Sequence, residues 1–105
     1  MAVAQLLVYS NPAAGKEAEY NRWYDEQHIP DLLKIPGVVA AQRFTTDGGE
    51  WSYVTVYELD TADQAMVMEG IQSRVDTPAM VMSDAIDLET VKMVFCAAAS
   101  PRQSR

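Results

Sequence analysis

Polar and apolar positions change their spacing several times along the chain, and each change marks a predicted element. Four segments are rich in β-branched, aromatic or consecutive apolar residues and are bounded by turn formers: residues 4–9, 38–45, 51–59 and 90–97. Ser10-Asn11-Pro12 closes the first, Pro36-Gly37 opens the second, and Asp47-Gly48-Gly49 separates the second from the third. Such an Asp-Gly-Gly turn predicts a hairpin, so the second and third strands should pair antiparallel. Residues 16–28 carry Tyr20, Trp23, Tyr24 and Gln27 at i, i+3, i+4 and i+7, with Glu19, Arg22 and Glu26 opposite, which predicts a helix. Pro30 has no N–H to donate, so that helix should end or kink near Ile29 and resume briefly over residues 31–34. A second helix should start at Thr61, capped by its hydroxyl with Gln64 as the capping-box partner, and run to Arg74. Its expected inward face is Ala62, Ala65, Met66 and Met68 with Glu69, and Thr77-Pro78 should open a further short helical stretch.

The resulting order, β-α-β-β-α-β, predicts an α+β, ferredoxin-like fold: an antiparallel four-stranded sheet with helices on one face. A sheet with one wet face alternates apolar with polar residues. Here Leu6, Leu7 and Val8 are consecutive, and residues 38–41 and 93–99 likewise lack most polar alternates. Both faces ask for burial, and two helices cover only one. A second copy packed sheet to sheet, as a C2 homodimer, would cover the other. No internal repeat is present; residues 1–99 read as one domain and the polar residues 100–105 as a flexible tail.

Composition narrows the function further. The chain has 105 residues, 49% hydrophobic and 22% charged, a balance that gives a single globular domain. Fifteen Asp+Glu against eight Lys+Arg leave a net charge of −7, which repels phosphate backbones and anionic lipid, so neither nucleic acid nor a membrane surface is expected as a partner. The first residues lack a basic region followed by a long apolar one, and no apolar run reaches the ~18–20 residues that span a bilayer. A cytoplasmic location is expected. One cysteine, Cys96, excludes an internal disulfide, and one histidine with one cysteine excludes a zinc-finger ligand set. With no second histidine to activate it and no Gly-x-Ser-x-Gly elbow, Cys96 reads as a buried, inert strand thiol, and a glycine-rich phosphate loop is absent too.

Candidate chemistry concentrates in residues 20–31, which hold three aromatics, the one histidine and aspartates at 25 and 31. His28 lies four residues after Tyr24 and three from both Asp25 and Asp31, within helical contact distance. A carboxylate bonded to one ring nitrogen would fix the tautomer and leave the other nitrogen to move a proton near neutral pH. The plain alternative is a histidine that caps a helix C-terminus. Tyr20, Trp23 and Tyr24 form first of all a packing face, and Tyr24 could also donate its hydroxyl to a substrate oxygen. Arg43 pairs with one of these carboxylates or clamps an anion, the ion pair being the favoured reading. Met66, Met68, Met80, Met82 and Met93 either fill the core or line a cavity for a hydrophobic ligand.

The same stretch carries a resemblance. Asn21-x-Trp23-Tyr24-Asp25-x-x-His28-Ile29-Pro30-Asp31, then Leu32-Leu33-x-Ile35-Pro36-Gly37-Val38 and Gln42-Arg43-Phe44, resembles the dimeric α+β barrel superfamily, and within it the EthD-like proteins. The specific part covers residues 20–44; the rest agrees in element order and length. The superfamily includes muconolactone isomerases, polyketide cyclases and dehydratases, cofactor-free monooxygenases and haem enzymes, so the likeness points to a fold more than to a reaction. It implies a homodimer with a pocket between sheet and helices in each subunit and the first-helix histidine at its wall.

The expected activity is cofactor-independent proton transfer on a small hydrophobic or aromatic metabolite: dehydration, isomerisation or cyclisation. His28 is the expected general acid/base, Asp31 or Asp25 its orienting carboxylate, and Tyr24 the donor to the substrate oxygen. Tyr20, Trp23, Gln27, Arg43 and Met66 are the expected substrate-binding residues, and no metal or other cofactor is expected. Two alternatives use the same pocket: a cofactor-free or haem-dependent monooxygenase, with His28 as axial ligand in the haem case, and a non-catalytic ligand-binding accessory protein.

Overall fold

A computed structural model describes residues 3–105; Met1 and Ala2, the first two residues of the predicted domain, lie outside the described residues. Its elements are β1 (Ala4–Pro12), α1 (Glu17–Trp23), a π-helical turn (Tyr24–His28), α2 (Ile29–Leu32), β2 (Val38–Thr45), β3 (Tyr53–Leu59), α3 (Gln64–Gln72) and β4 (Ile86–Ala97). The four strands form one antiparallel sheet in the order β2-β3-β1-β4, the ferredoxin-like arrangement that the sequence predicts. The expected hairpin joins β2 to β3, pairing Phe44 with Val54 and Thr45 with Tyr53.

Register fixes which residues meet the helices. Leu6 pairs with Tyr57 and Phe95, and Val8 with Thr55 and Met93, so these positions share one face. Leu6, Val8, Tyr57 and Leu59 pack there against Leu32, Ile35, Val67 and Ile71 from the helical layer. The alternate positions Leu7, Val54, Val56 and Val94 point the other way and are half-buried, and Phe44 beside them is exposed. The second face therefore carries an apolar centre, with Gln5, Gln42, Glu58 and Lys92 also on it.

Several boundaries differ from expectation for identifiable reasons. Ser10-Asn11-Pro12 does not turn the chain; β1 runs on because β4 starts early, at Ile86, and pairs with Pro12 after a register irregularity between Tyr9 and Asn11. The early start follows the alternation Ile86, Asp87, Leu88, Glu89. Thr61 does not cap the second helix. Asp63 does, its Oδ1 accepting the Met66 N–H at 3.0 Å, where a carboxylate also meets the helix dipole favourably. That start turns Val67 and Ile71 inward and leaves Ala62, Ala65, Met66 and Glu69 exposed, which overturns the expected inward face except at half-buried Met68. Gly70 permits this packing, since a Cβ there would lie 2.6 Å from Ile35 Cγ2. Thr77-Pro78 opens no helix; the chain makes a turn closed by bridges from Val75 and Thr77 to Met80. Among the described residues no helix is long and apolar enough to cross a membrane.

Candidate active site

The site begins with Pro30. In a regular α-helix its ring would clash with the carbonyl four residues back and that carbonyl would lose its donor. The chain does not break there. It widens into the π turn, in which the Ile29 N–H donates to the Tyr24 carbonyl five residues earlier. The extra residue per turn changes which side chains meet. On an α-helix residues five apart lie roughly 140° around the axis. Here Trp23 and His28, five apart, stack with ring centroids 4.5 Å apart and planes inclined by 28°. Tyr24 meets the same imidazole edge-on at 5.1 Å. The π turn thus carries His28 onto the inward face that Tyr20, Trp23 and Tyr24 already occupy.

Inward of His28 lies a cavity of about 150 Å³ between sheet and helices. Leu6, Val8, Leu32, Ile71, Met80, Met82, Ile86 and Val91 make most of its wall, with Val75, Leu88 and Met93 toward the outside. Its polar contributions come from three side chains, Tyr24, Tyr57 and His28. The hydroxyls of Tyr24 and Tyr57 and the Nδ1 of His28 are buried and have no hydrogen-bond partner. Burial lowers the His28 pKa from 6.5 to about 4, with the charge of Asp31 opposing, so the ring is neutral at pH 7. Burial, with Tyr24 next to it, raises the Tyr57 phenol well above its ordinary value, so that hydroxyl stays protonated.

A strap between α3 and β4 closes one side. Trp23 Nε1 donates to the Val81 carbonyl at 3.0 Å, and the Val81 N–H donates to Asp31 Oδ2 at 3.2 Å. Gln27 Nε2 donates to the same oxygen at 2.8 Å. These bonds fix Val81 and so place Met80 and Met82, on either side of it, at the cavity wall. On the far side of Tyr24 the side chain of Arg43, 13% exposed, donates to Asn21 Oδ1 at 2.7 Å and to Asp25 Oδ1 at 3.1 Å. Its guanidinium lies over Tyr24, Tyr53 and Tyr20, at 4.6, 5.1 and 5.4 Å from the ring centroids. Tyr20 Oη shares a 2.6 Å hydrogen bond with Ser10 Oγ, and burial pushes its pKa up to about 12.

The structure brings together His28, Tyr24 and Trp23 as expected, and lines the cavity with Met80, Met82 and Met93. It separates others. Neither aspartate hydrogen-bonds His28: Asp25 pairs with Arg43, and Asp31 serves Gln27 and Val81. Gln27 and Arg43 hold side chains in place at the cavity's margins. Met66 lies on the outer side of α3 beside Pro36 and Arg74, away from the cavity, since Val67 and Ile71 occupy the inward positions. Tyr57 was missed by the sequence reading. Its signal is a hydroxyl on an inward strand position where phenylalanine would fill the same space, visible only once the register is known. Among the described residues no cluster of three or more His, Cys, Asp or Glu could hold a metal ion.

This constellation defines the chain as a ferredoxin-like α+β protein with a largely aliphatic cavity, lined by neither Tyr20 nor Trp23, and one histidine in its wall. Its fold matches the crystal structure of an ethyl tert-butyl ether D (EthD) family protein from Bacillus halodurans C-125, with a TM-score of 0.53 over 93% of this chain and 99% of that one, at 15% sequence identity. The likeness establishes an EthD-like fold, in agreement with the motif of residues 20–44. No protein-family model and no curated protein matches the chain.

Proposed function

We propose that this chain is a cofactor-independent enzyme that moves a proton within a small hydrophobic or aromatic molecule, in an isomerisation, dehydration or cyclisation. The observation that supports this most is His28 itself, in the wall of an apolar cavity with its Nδ1 buried and without a hydrogen-bond partner. A neutral imidazole there accepts a proton from a carbon next to a substrate carbonyl; the C–H electron pair forms a C=C bond as the C=O pair moves onto oxygen. The Tyr24 hydroxyl donates to that oxygen as its charge develops. Trp23, stacked on the ring, holds its orientation. Asp31 favours the transient imidazolium through space rather than through a hydrogen bond. The same nitrogen returns the proton to a second carbon, so one histidine suffices. A volume of about 150 Å³ suits one six-membered ring.

The working form in this reading is a homodimer joined through the apolar sheet face of Leu7, Val54, Val56, Val94 and Phe44, burying a standard interface of roughly 1,600 Å². Sedimentation at low micromolar protein should give a dimer; a concentration-independent monomer contradicts it.

The probe reaction for the chemistry is conversion of cyclohex-3-enone to the conjugated cyclohex-2-enone, followed by ultraviolet absorbance. The wild type should accelerate it above buffer, and His28→Ala should return the rate to near buffer. An unchanged rate in His28→Ala, or no acceleration by the wild type, overturns the assignment.

A further inference from the structure

We propose that Tyr57 and Tyr24 form a two-donor site for the single oxygen of a neutral, one-ring phenol or enolisable ketone. The proposal rests on the reading of the His28 cavity as a ligand pocket and adds to it a second donor, a size limit and a charge limit. Tyr57 and Tyr24 are each 1% exposed; the two phenols are neighbours, and neither hydroxyl makes a hydrogen bond of good geometry. A buried hydroxyl that lost its water without gaining a hydrogen bond weakens the fold, and phenylalanine would fill either position without that loss. The neighbouring tyrosines are treated differently. Tyr20 shares its hydrogen with Ser10, and Tyr53 donates to Glu17 Oε2 and accepts from Asn21. Two unsatisfied hydroxyls at one cavity wall, beside two satisfied ones in the same aromatic layer, point to an acceptor that arrives with the ligand.

The remaining wall sets the ligand's class. None of the fourteen lining residues is an acid, a lysine or an arginine, so a carboxylate or ammonium inside would be buried without a counter-ion. An apolar cavity of this volume holds a benzene-sized ring. Leu6, Val8, Met80, Met82 and Val91 offer the ring apolar contact, and anything larger must extend past Leu88 and Val75. Arg43 stands behind the donors: its guanidinium is 4.6 Å from the Tyr24 ring centroid, and its positive charge favours negative charge developing near the Tyr57 phenol. It is a positioning residue, with Tyr24 between it and the cavity.

Phenol and toluene, alike in shape and differing in the oxygen, serve as probes, with affinities measured by calorimetry and melting temperatures recorded without ligand. Wild type should prefer phenol by at least about tenfold, and Tyr57→Phe and Tyr24→Phe should each weaken phenol by about five- to tenfold while leaving toluene unchanged. The unliganded Tyr57→Phe protein should melt no lower than wild type, because the hydroxyl it removes has no partner. An unchanged phenol-to-toluene ratio in Tyr57→Phe overturns the proposal, and so does a lower melting temperature or failure to fold, either of which makes the hydroxyl structural. The enzyme reading fails separately: if Tyr57→Phe loses the phenol preference while His28→Ala isomerises cyclohex-3-enone at the wild-type rate, the binding site stands and the enzyme does not. The reverse pattern keeps the enzyme and removes the second donor.

Discussion

Two halves of one aromatic layer are built on opposite principles. On the β2 side, Tyr20, Tyr53, Asn21, Asp25 and Arg43 are bonded to one another or to Ser10 and Glu17, and only the Arg43 Nε is left over. On the cavity side, Tyr24, Tyr57 and His28 present three buried polar atoms and satisfy none of them. The first half makes stability from polar groups by pairing them; the second gives stability up, in the manner of a site whose partners are supplied by a ligand. The boundary between them runs through Tyr24, whose ring lies under Arg43 and whose hydroxyl belongs to the cavity.

The largest effect that separates the halves is catalytic. His28→Ala should lower turnover of the probe enone by about 10²-fold or more, the ordinary worth of a general acid/base. A tenfold loss or less would place His28 among the packing residues. Next comes pH. The His28 pKa is lowered on folding from 6.5 to about 4, so the unfolded chain takes up its proton first as pH falls. Stability attributable to this residue is complete above pH 6.5 and drains away toward pH 4, on the order of 3 kcal/mol in all. Urea titrations across that range should show wild type losing this much more than His28→Phe; parallel curves would contradict the burial.

On the paired side, Arg43→Leu should destabilise by about 2 kcal/mol, through lost hydrogen bonds to Asn21 and lost contact with three aromatic rings. The Asp25 partner is largely exposed and adds little. Denaturant melting checks this, and a neutral result would dissolve the contrast between the halves. The smallest effect is the sharpest: Tyr20→Phe should cost about 1 kcal/mol, since it strands the buried Ser10 hydroxyl, whereas Tyr24→Phe should cost nothing measurable. Equal costs for the two would mean that the Tyr24 hydroxyl has a structural partner.

Much of the fold is legible in the sequence because its signals are local. The turn at Asp47-Gly48-Gly49 and the strand composition on either side of it specify the β2–β3 hairpin, and the stripe of Tyr20, Trp23 and Tyr24 specifies the first helix and its inward face. What escaped depended on contacts distant in sequence or on competition between neighbours. Thr61 and Asp63 both read as caps, and only packing of Val67 and Ile71 on the sheet decides between them. Ser10 and Pro12 read as a turn until β4 supplies them with a pairing strand. The site follows the same division. His28 and Tyr24 were visible as a motif, but the role of Pro30 in widening the helix, and so in stacking His28 on Trp23, depends on backbone geometry that spacing does not contain. Asp31 looked like the partner of His28 at three residues' distance, and the strap at Val81, fifty residues away, takes its carboxylate instead. Tyr57 had no sequence signal apart from its hydroxyl.

The central claim is that His28 is a buried, neutral base in the wall of an apolar cavity, and the chain offers a clean test because it has one histidine. An NMR titration of that imidazole needs no assignment. The account predicts a midpoint near pH 4 and an uncharged ring throughout the neutral range. A midpoint at 6 to 7, the value of a solvated imidazole, would contradict it.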